Sequence, residues 1–172
     1  MASVLVVRPG LQTTVQDDGR WGWQARGVSV SGAMDPYSYR LANWLVGNPE
    51  GAAALEVTLA GPELEFMDAR VVAVAGAEFA LTLEGRTVPM HSALVVKAGS
   101  RLTFGNRTFG ARAYLGVSGG IEVPPVFGSR STHLVSRVGG FHGRALIASD
   151  VLPLGSPRQR PPDIPAATLS SG

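Results

Sequence analysis

Turn-forming residues punctuate this chain so often that few long elements can form. From Leu55 onward, apolar residues recur with a period near two in "LEVTLAGPELEF", "ARVVAVAG", "FALTLEGRTV", "ALVVKAG", "RLTFGN" and "ARAYLGVSGG", and Gly, Pro or Asn closes each run. Upstream, "SVLVVRPG" reads as a strand ended by Pro-Gly, and "LQTTVQDDGR" as a second strand running into an acidic turn. Glu84-Gly85, between two alternating runs, is a hairpin turn. Many strands at spacings of about 8–12 residues predict a mainly β domain, a sheet closing toward a barrel. No internal repeat is evident.

One segment departs from this pattern. "MDPYSYRLANWLVGNPEG" predicts a helix over Pro36–Val46. Asp35 is placed to cap it, Pro36 sits where its missing N–H costs nothing, and Gly47 with Asn48-Pro49 stops it. Tyr37, Leu41, Trp44 and Leu45 recur at helical spacing and are expected to form the core-facing stripe. A shorter helical turn is expected in "EGAAAL". The expected fold is therefore a β-barrel with one or two short helices packed on it or plugging an end.

Composition excludes several chemistries. The chain has 172 residues, 45% of them hydrophobic and 16% charged, which suits one packed domain rather than a disordered polar chain. There is no cysteine, so disulfides, thiolate nucleophiles and Cys-based metal sites are ruled out. The net charge of +2 gives no reason to expect nucleic acid, and Lys97 is the only lysine. The start, "MASVLVVRPG", lacks the basic region and long apolar stretch of a secretory signal. No apolar run approaches the ~20 residues of a membrane helix, and the cytoplasm is the default location. The last stretch, "PLGSPRQRPPDIPAATLSSG", is Pro-rich and reads as a linker or tail; the expected division is 1–155 for the barrel domain and 156–172 for the tail.

The stretch "PPVFGSRSTHLVSRVGGFHG" gathers donors and almost no acid. Ser129, Arg130, Ser131 and Thr132 are the candidate substrate-binding residues, a set suited to a carboxylate, an amide oxygen or charge developing on one. An equal alternative is that Arg130 ties the loop to a strand or a partner. Ser131 and His133 share a face of an extended segment, but a nucleophilic pair also needs an acidic orienter and an oxyanion hole, and "GSRS" is not a nucleophile elbow. Asp17 and Asp18 point to opposite faces of a strand, which argues against a carboxylate pair; Asp17 reads as a turn residue holding backbone amides and pairing with Arg20. Arg130, His133 and Asp17 remain the catalytic candidates. The histidines lack the partners of a metal site, and no Walker pattern is present.

"PGLQTTVQDDGRWGW", "GVSVSGAMDPYSYRLANWLVGNPEGAAALEVTLAGPELEF" and "ARAYLGVSGGIEVPPVFGSRSTHL" resemble the subunit 2 type of allophanate hydrolase, the family that also includes the C subunit of 5-oxoprolinase and the biotin-dependent carboxyltransferase A/B region. The resemblance runs from about Val4 to about Gly155. It departs at Asp18, where an apolar residue is expected, which makes Asp17 the family aspartate. It implies a cyclophilin-like β-barrel and a subunit 1 type partner, present as a separate protein or a fused domain. It also implies amide chemistry: carboxyl transfer from carboxybiotin to urea, or ATP-dependent opening of 5-oxoproline. The cofactor, biotin or ATP, then belongs to the level of the complex, and none is assigned to this segment. Other relatives act as non-catalytic antagonists of a kinase inhibitor, which gives the alternative reading of a regulatory or assembly module. Family chains continue past the Pro-rich tail into a second lobe that completes the site, so this chain is expected to be an amino-terminal half, a truncated form or a degenerate copy.

Overall fold

The computed structural model describes residues 2–157; most of the expected tail, from residue 158 on, lies outside the described residues. The architecture is mainly β. Nine strands are joined in one curled antiparallel sheet: β1 (Ser3–Arg8), β2 (Gln12–Gln16), β3 (Ala54–Thr58), β4 (Glu63–Phe66), β5 (Arg70–Leu83), β6 (Arg86–Val88), β7 (Leu94–Val96), β8 (Arg101–Val117) and β9 (Val151–Pro153). The order β2-β3-β8-β4-β1-β9 forms the main path. Among the described residues, the helix α1 (Pro36–Leu45) and one 3-10 turn at Gln24–Arg26 complete the elements.

β8 is the axis of the sheet. Its two ends pair with β4 and β3 along one edge, while β5 runs beside it along the other. The sequence breaks expected inside β5 and β8 are absorbed instead of ending the strands. The β5–β8 register shifts between Gly76 and Glu78 and again between Phe79 and Leu81, so bulges take up the irregularity and two expected strand pairs merge into two long strands. The expected hairpin at Glu84-Gly85 is present, with φ of 51° and 75° at the two turn residues, as a two-residue turn of the primed type requires. The helical turn expected in "EGAAAL" is not formed: Ala54 and Leu55 enter β3 and the residues before them make turns.

The core lies inside the curl, where Val4, Val6, Val15, Leu55, Val57, Leu64, Phe66, Val72, Leu81, Leu102, Leu115 and Leu152 are buried together. The helix packs on the sheet's outer side through a face that shares Leu45 with the expected stripe and has Leu41 half-buried at its edge, but leaves out Tyr37 and Trp44. Asp35 caps it by accepting from Tyr37 N and Ser38 N, both at 3.1 Å, as expected. The buried face is Ser38, Tyr39, Ala42, Asn43 and Leu45, whereas Tyr37 is 78% and Trp44 63% exposed. The reason is steric. The sheet beneath α1 is paved with Ala73, Ala75 and Gly116, and a Cβ on Gly116 would lie 2.5 Å from the Ala42 carbonyl oxygen. Backbones that close admit only small side chains directly between them, so Ala42 faces Gly116, Tyr39 fits beside that contact against Tyr114, and Tyr37 and Trp44 lie on the far side.

Candidate functional site

Asp17 follows directly on β2, with its carboxylate buried against the loop that carries the candidate residues. Its Oδ1 accepts from Ser129 Oγ at 2.7 Å, Ser131 Oγ at 2.5 Å and Gly19 N at 2.8 Å. Its Oδ2 accepts from Arg130 N at 2.5 Å. Ser131 Oγ also accepts from Asp17 N at 2.9 Å, so this hydroxyl bonds the same residue twice. Charge-assisted bonds of this kind are the strong ones, and the three from Ser129, Arg130 and Ser131 fix the loop against β2, while the Gly19 bond closes a local turn.

Neighbouring bonds extend the clasp. Thr132 donates to the Val15 carbonyl through both N and Oγ1, each at 2.9 Å, while the Thr132 carbonyl accepts from Gln16 Nε2 at 3.1 Å and Ser31 Oγ at 2.6 Å. Arg20, 1% exposed, donates through Nη2 to the Ser131 carbonyl, and its Nη1 has no hydrogen-bond partner among the described residues. Burial pushes the Arg20 guanidinium below its ordinary value, and the nearby Asp17 charge opposes that shift. Gly139 must be glycine to close the arrangement: it lies at φ 70°, and a Cβ there would fall 2.1 Å from the Ser131 carbonyl oxygen.

The structure thus brings Asp17, Ser129, Arg130, Ser131 and Thr132 together, with the three hydroxyls turned inward. Ser129, Ser131 and Thr132 are buried, and every hydroxyl is spent on Asp17 or Val15. The Arg130 side chain is partly exposed; its Nε donates to the Val123 carbonyl at 2.8 Å and its Nη2 pairs with Glu122 at 2.7 Å. Among amides 128–132, those of Ser129, Arg130, Ser131 and Thr132 are engaged, which leaves Gly128 N–H without an acceptor among the described residues. His133 stands apart from Ser131: its backbone pairs with Val138 and its Nδ1 accepts from Ser136 N at 3.4 Å. Asp17 meets Ser131 directly, with no imidazole between them. Among the described residues no group of three metal-capable side chains converges.

An aromatic rim borders this loop. Trp23 stacks on Phe127 with ring centroids 5.1 Å apart, Arg26 lies over the Trp23 ring at 5.2 Å, and Trp21 is exposed. Phe127 holds φ at 51° in the tight Val126–Ser129 turn. A second buried network escaped the sequence reading. Glu56 on β3 accepts from Tyr114 OH at 2.7 Å and Met34 N at 2.9 Å and pairs with Arg112 Nε at 3.2 Å, while Tyr114 OH accepts from Asp35 N at 2.8 Å. Burial is the main cause that pushes the Tyr114 phenol well above its usual range. The network ties the entry of α1 to the sheet. Its only sequence signal is Glu56 at a strand position between two inward apolar residues.

A curled antiparallel sheet with one outer helix and an aspartate-locked loop defines a class. Residues 26–171 match the model of the carboxyltransferase domain, subdomain A and B, and the chain belongs to that family. It is similar to urea amidolyase of Saccharomyces cerevisiae, 46% identical over 151 residues that cover 87% of this chain and 8% of the yeast protein. It is 44% identical over 154 residues to the C subunit of 5-oxoprolinase from Escherichia coli, covering 90% of this chain and 50% of that one. The crystal structure of the K. lactis urea amidolyase superposes with a TM-score of 0.88 at 44% identity, over 95% of this chain and 10% of that one. The chain therefore spans half or less of the length of these relatives.

Proposed function

We propose that this chain forms the amino-terminal part of a subunit of an amide-directed enzyme of the allophanate hydrolase, 5-oxoprolinase or urea carboxyltransferase type, working in the cytoplasm with a subunit 1 type partner. The observation that carries the reading is the 44–46% identity to urea amidolyase and to the C subunit of 5-oxoprolinase, whose names share an N–C=O substrate group. The loop geometry supports a role within that chemistry. Asp17 holds Ser129, Ser131 and the Arg130 backbone, and Val123 and Glu122 take Arg130 Nε and Nη2, so the groups left to meet a ligand are Arg130 Nη1 and Gly128 N–H. In a carboxyl transfer they hold the carboxylate; in a hydrolysis they hold the carbonyl oxygen as it becomes tetrahedral. Ser129, Ser131 and Thr132 then serve binding by fixing the loop, and Asp17 positions it. His133 and a general base stand outside this donor pair. Biotin or ATP enters through the complex.

A second reading, a non-catalytic regulatory or assembly module that binds the same partner, draws support from the exposed Trp21 beside the Trp23–Phe127 rim. One experiment separates the two. The chain is co-expressed with its subunit 1 type partner, complex formation is followed by light scattering, and turnover of 5-oxoproline with ATP, of allophanate and of urea is measured. Turnover that Arg130→Ala abolishes in an intact complex supports the enzyme reading. An intact complex with no turnover on any of the three supports the module. The absence of any complex refutes both.

A further inference from the structure

The outward side of α1 carries an apolar seam, and no described residue covers it. Tyr37, Leu41 and Trp44 follow at intervals of four and three, the spacing that keeps side chains in line along a helix that faces another helix. Tyr37 and Trp44 are exposed and Leu41 lies half-buried between them. A concavity of about 400 Å³ is lined by Tyr37, Arg40, Leu41 and Trp44. Those positions, i, i+3, i+4 and i+7, are the four that make the socket for a side chain of a facing helix. A small polar ligand finds little to hold beside them. In the neighbouring concavity, of about 160 Å³, Asn43 and Asn48 bond each other at 2.8 Å, and Asn48 also donates to the Val117 carbonyl and accepts from Gly119 N.

Charge indicates which helix fits. Arg40 and Glu50 line the smaller concavity on the same flank of the seam. Arg40 holds Asp18 only at 3.5 Å, and the Glu50 side chain has no hydrogen-bond or ion-pair partner among the described residues. A loosely held base and a free acid therefore stand beside an apolar seam. Such a surface is complementary to itself, because a two-fold rotation sets each base against the acid of the other copy.

We propose that the outward face of α1 is a two-fold interface between two copies of this chain. The helices pack antiparallel about an axis that passes between residues 40 and 41. Tyr37 then meets the other copy's Trp44, Leu41 enters the socket of the facing helix, and Arg40 pairs with the other copy's Glu50. The contact is small. Tyr37 and Trp44, 78% and 63% exposed, together offer roughly 300 Å² per copy, since a whole aromatic side chain buries ~150–250 Å². A standard stable interface buries ~800 Å² per partner. Even with its polar flank this is a reversible contact, so the copies separate on dilution. In dilute solution Arg40 keeps only its 3.5 Å pair with Asp18. The interface accounts for large aromatics on the outer side of a helix whose inner face is already closed.

Sedimentation equilibrium of the full chain over a wide concentration range provides the test. The parent is expected to pass from monomer to dimer. Arg40→Glu and Glu50→Arg each set like charges against each other across the axis. Each is expected to raise the dissociation constant about tenfold or more, with a denaturation midpoint in dilute solution close to the parent's. An equimolar mixture of the two variants restores acid against base at both pairs and is expected to recover the parent's association. A defect within either variant's own fold would not be cured by mixing. A parent that stays monomeric throughout overturns the proposal and leaves the seam to a different protein. A dimer that neither charge reversal weakens overturns it too, as does a mixture that associates no better than its components.

Discussion

The loop around Asp17 and the outer face of α1 contradict ordinary expectation in opposite directions. The first buries a carboxylate, a guanidinium and three hydroxyls; the second leaves a tyrosine and a tryptophan in solvent. What separates them is satisfaction. Polar groups can be buried where most have partners: Asp17 has four donors, while Arg20 Nη1 and Gln16 Oε1 lack a partner among the described residues. Tyr37 and Trp44 stay outside because Ala42 closes on Gly116 beneath α1 and the room beside that contact is taken by Tyr39 against Tyr114. The polar region is thus the internally bonded one and the apolar region is the one open to contact.

Asp17→Ala attacks this contrast at its strongest point. It strands the Ser129 and Ser131 hydroxyls and the Arg130 N–H, and is expected to cost roughly 3–5 kcal/mol in chemical denaturation, since each buried group left unsatisfied costs about 1–3 kcal/mol. Gly139→Ala, which drives a Cβ into the Ser131 carbonyl at a positive φ, is expected to cost on the order of 1–3 kcal/mol by the same measurement. On the α1 side, Asp35→Ala removes the helix cap and is expected to cost about 1 kcal/mol. Arg40→Ala breaks only the exposed 3.5 Å pair with Asp18, and a loss of no more than a few tenths of a kcal/mol is expected.

A pH series extends the same contrast to a third place. The Arg144 fork, with bonds of 2.7 and 2.9 Å, and the Ile147 N–H hold the Asp150 carboxyl below the usual carboxylate range, against the opposing effect of burial. Its folded value lies below its unfolded one, so the stabilisation is present above the ordinary Asp range near 3.9. It is lost as pH falls through the depressed folded value. Denaturation midpoints of the parent and of Asp150→Asn are expected to converge as the solution is acidified and to separate toward neutrality.

How much was legible in the sequence follows from how local each signal is. The Asp35 cap and the Glu84-Gly85 turn are decided within four residues, and both appear where the sequence places them. The long strands β5 and β8 were not legible, because a glycine that ends one strand and a glycine that bulges another look alike until a neighbouring strand is present. The expected stripe of α1 holds for Leu45 but not for Tyr37 and Trp44, because periodicity weighs apolar size, whereas the close approach of Ala42 to Gly116 sets which side of the helix meets the sheet. Asp17 was legible as a turn residue bonded to Gly19 N and as a neighbour of Arg20. Its bonds to Ser129 and Ser131 cross more than a hundred residues, and nothing local foretells them.

One buried carboxylate holds the candidate loop in place, while α1 is held independently. Residue-resolved amide hydrogen exchange on the full chain and on Asp17→Asn puts both halves of that statement to the test. Strongly accelerated exchange is predicted at Gly19 and Arg130, whose N–H groups bond the carboxylate, with the amides of α1 unchanged. Unchanged exchange at Gly19 and Arg130, or an equal loss of protection across α1, would contradict it.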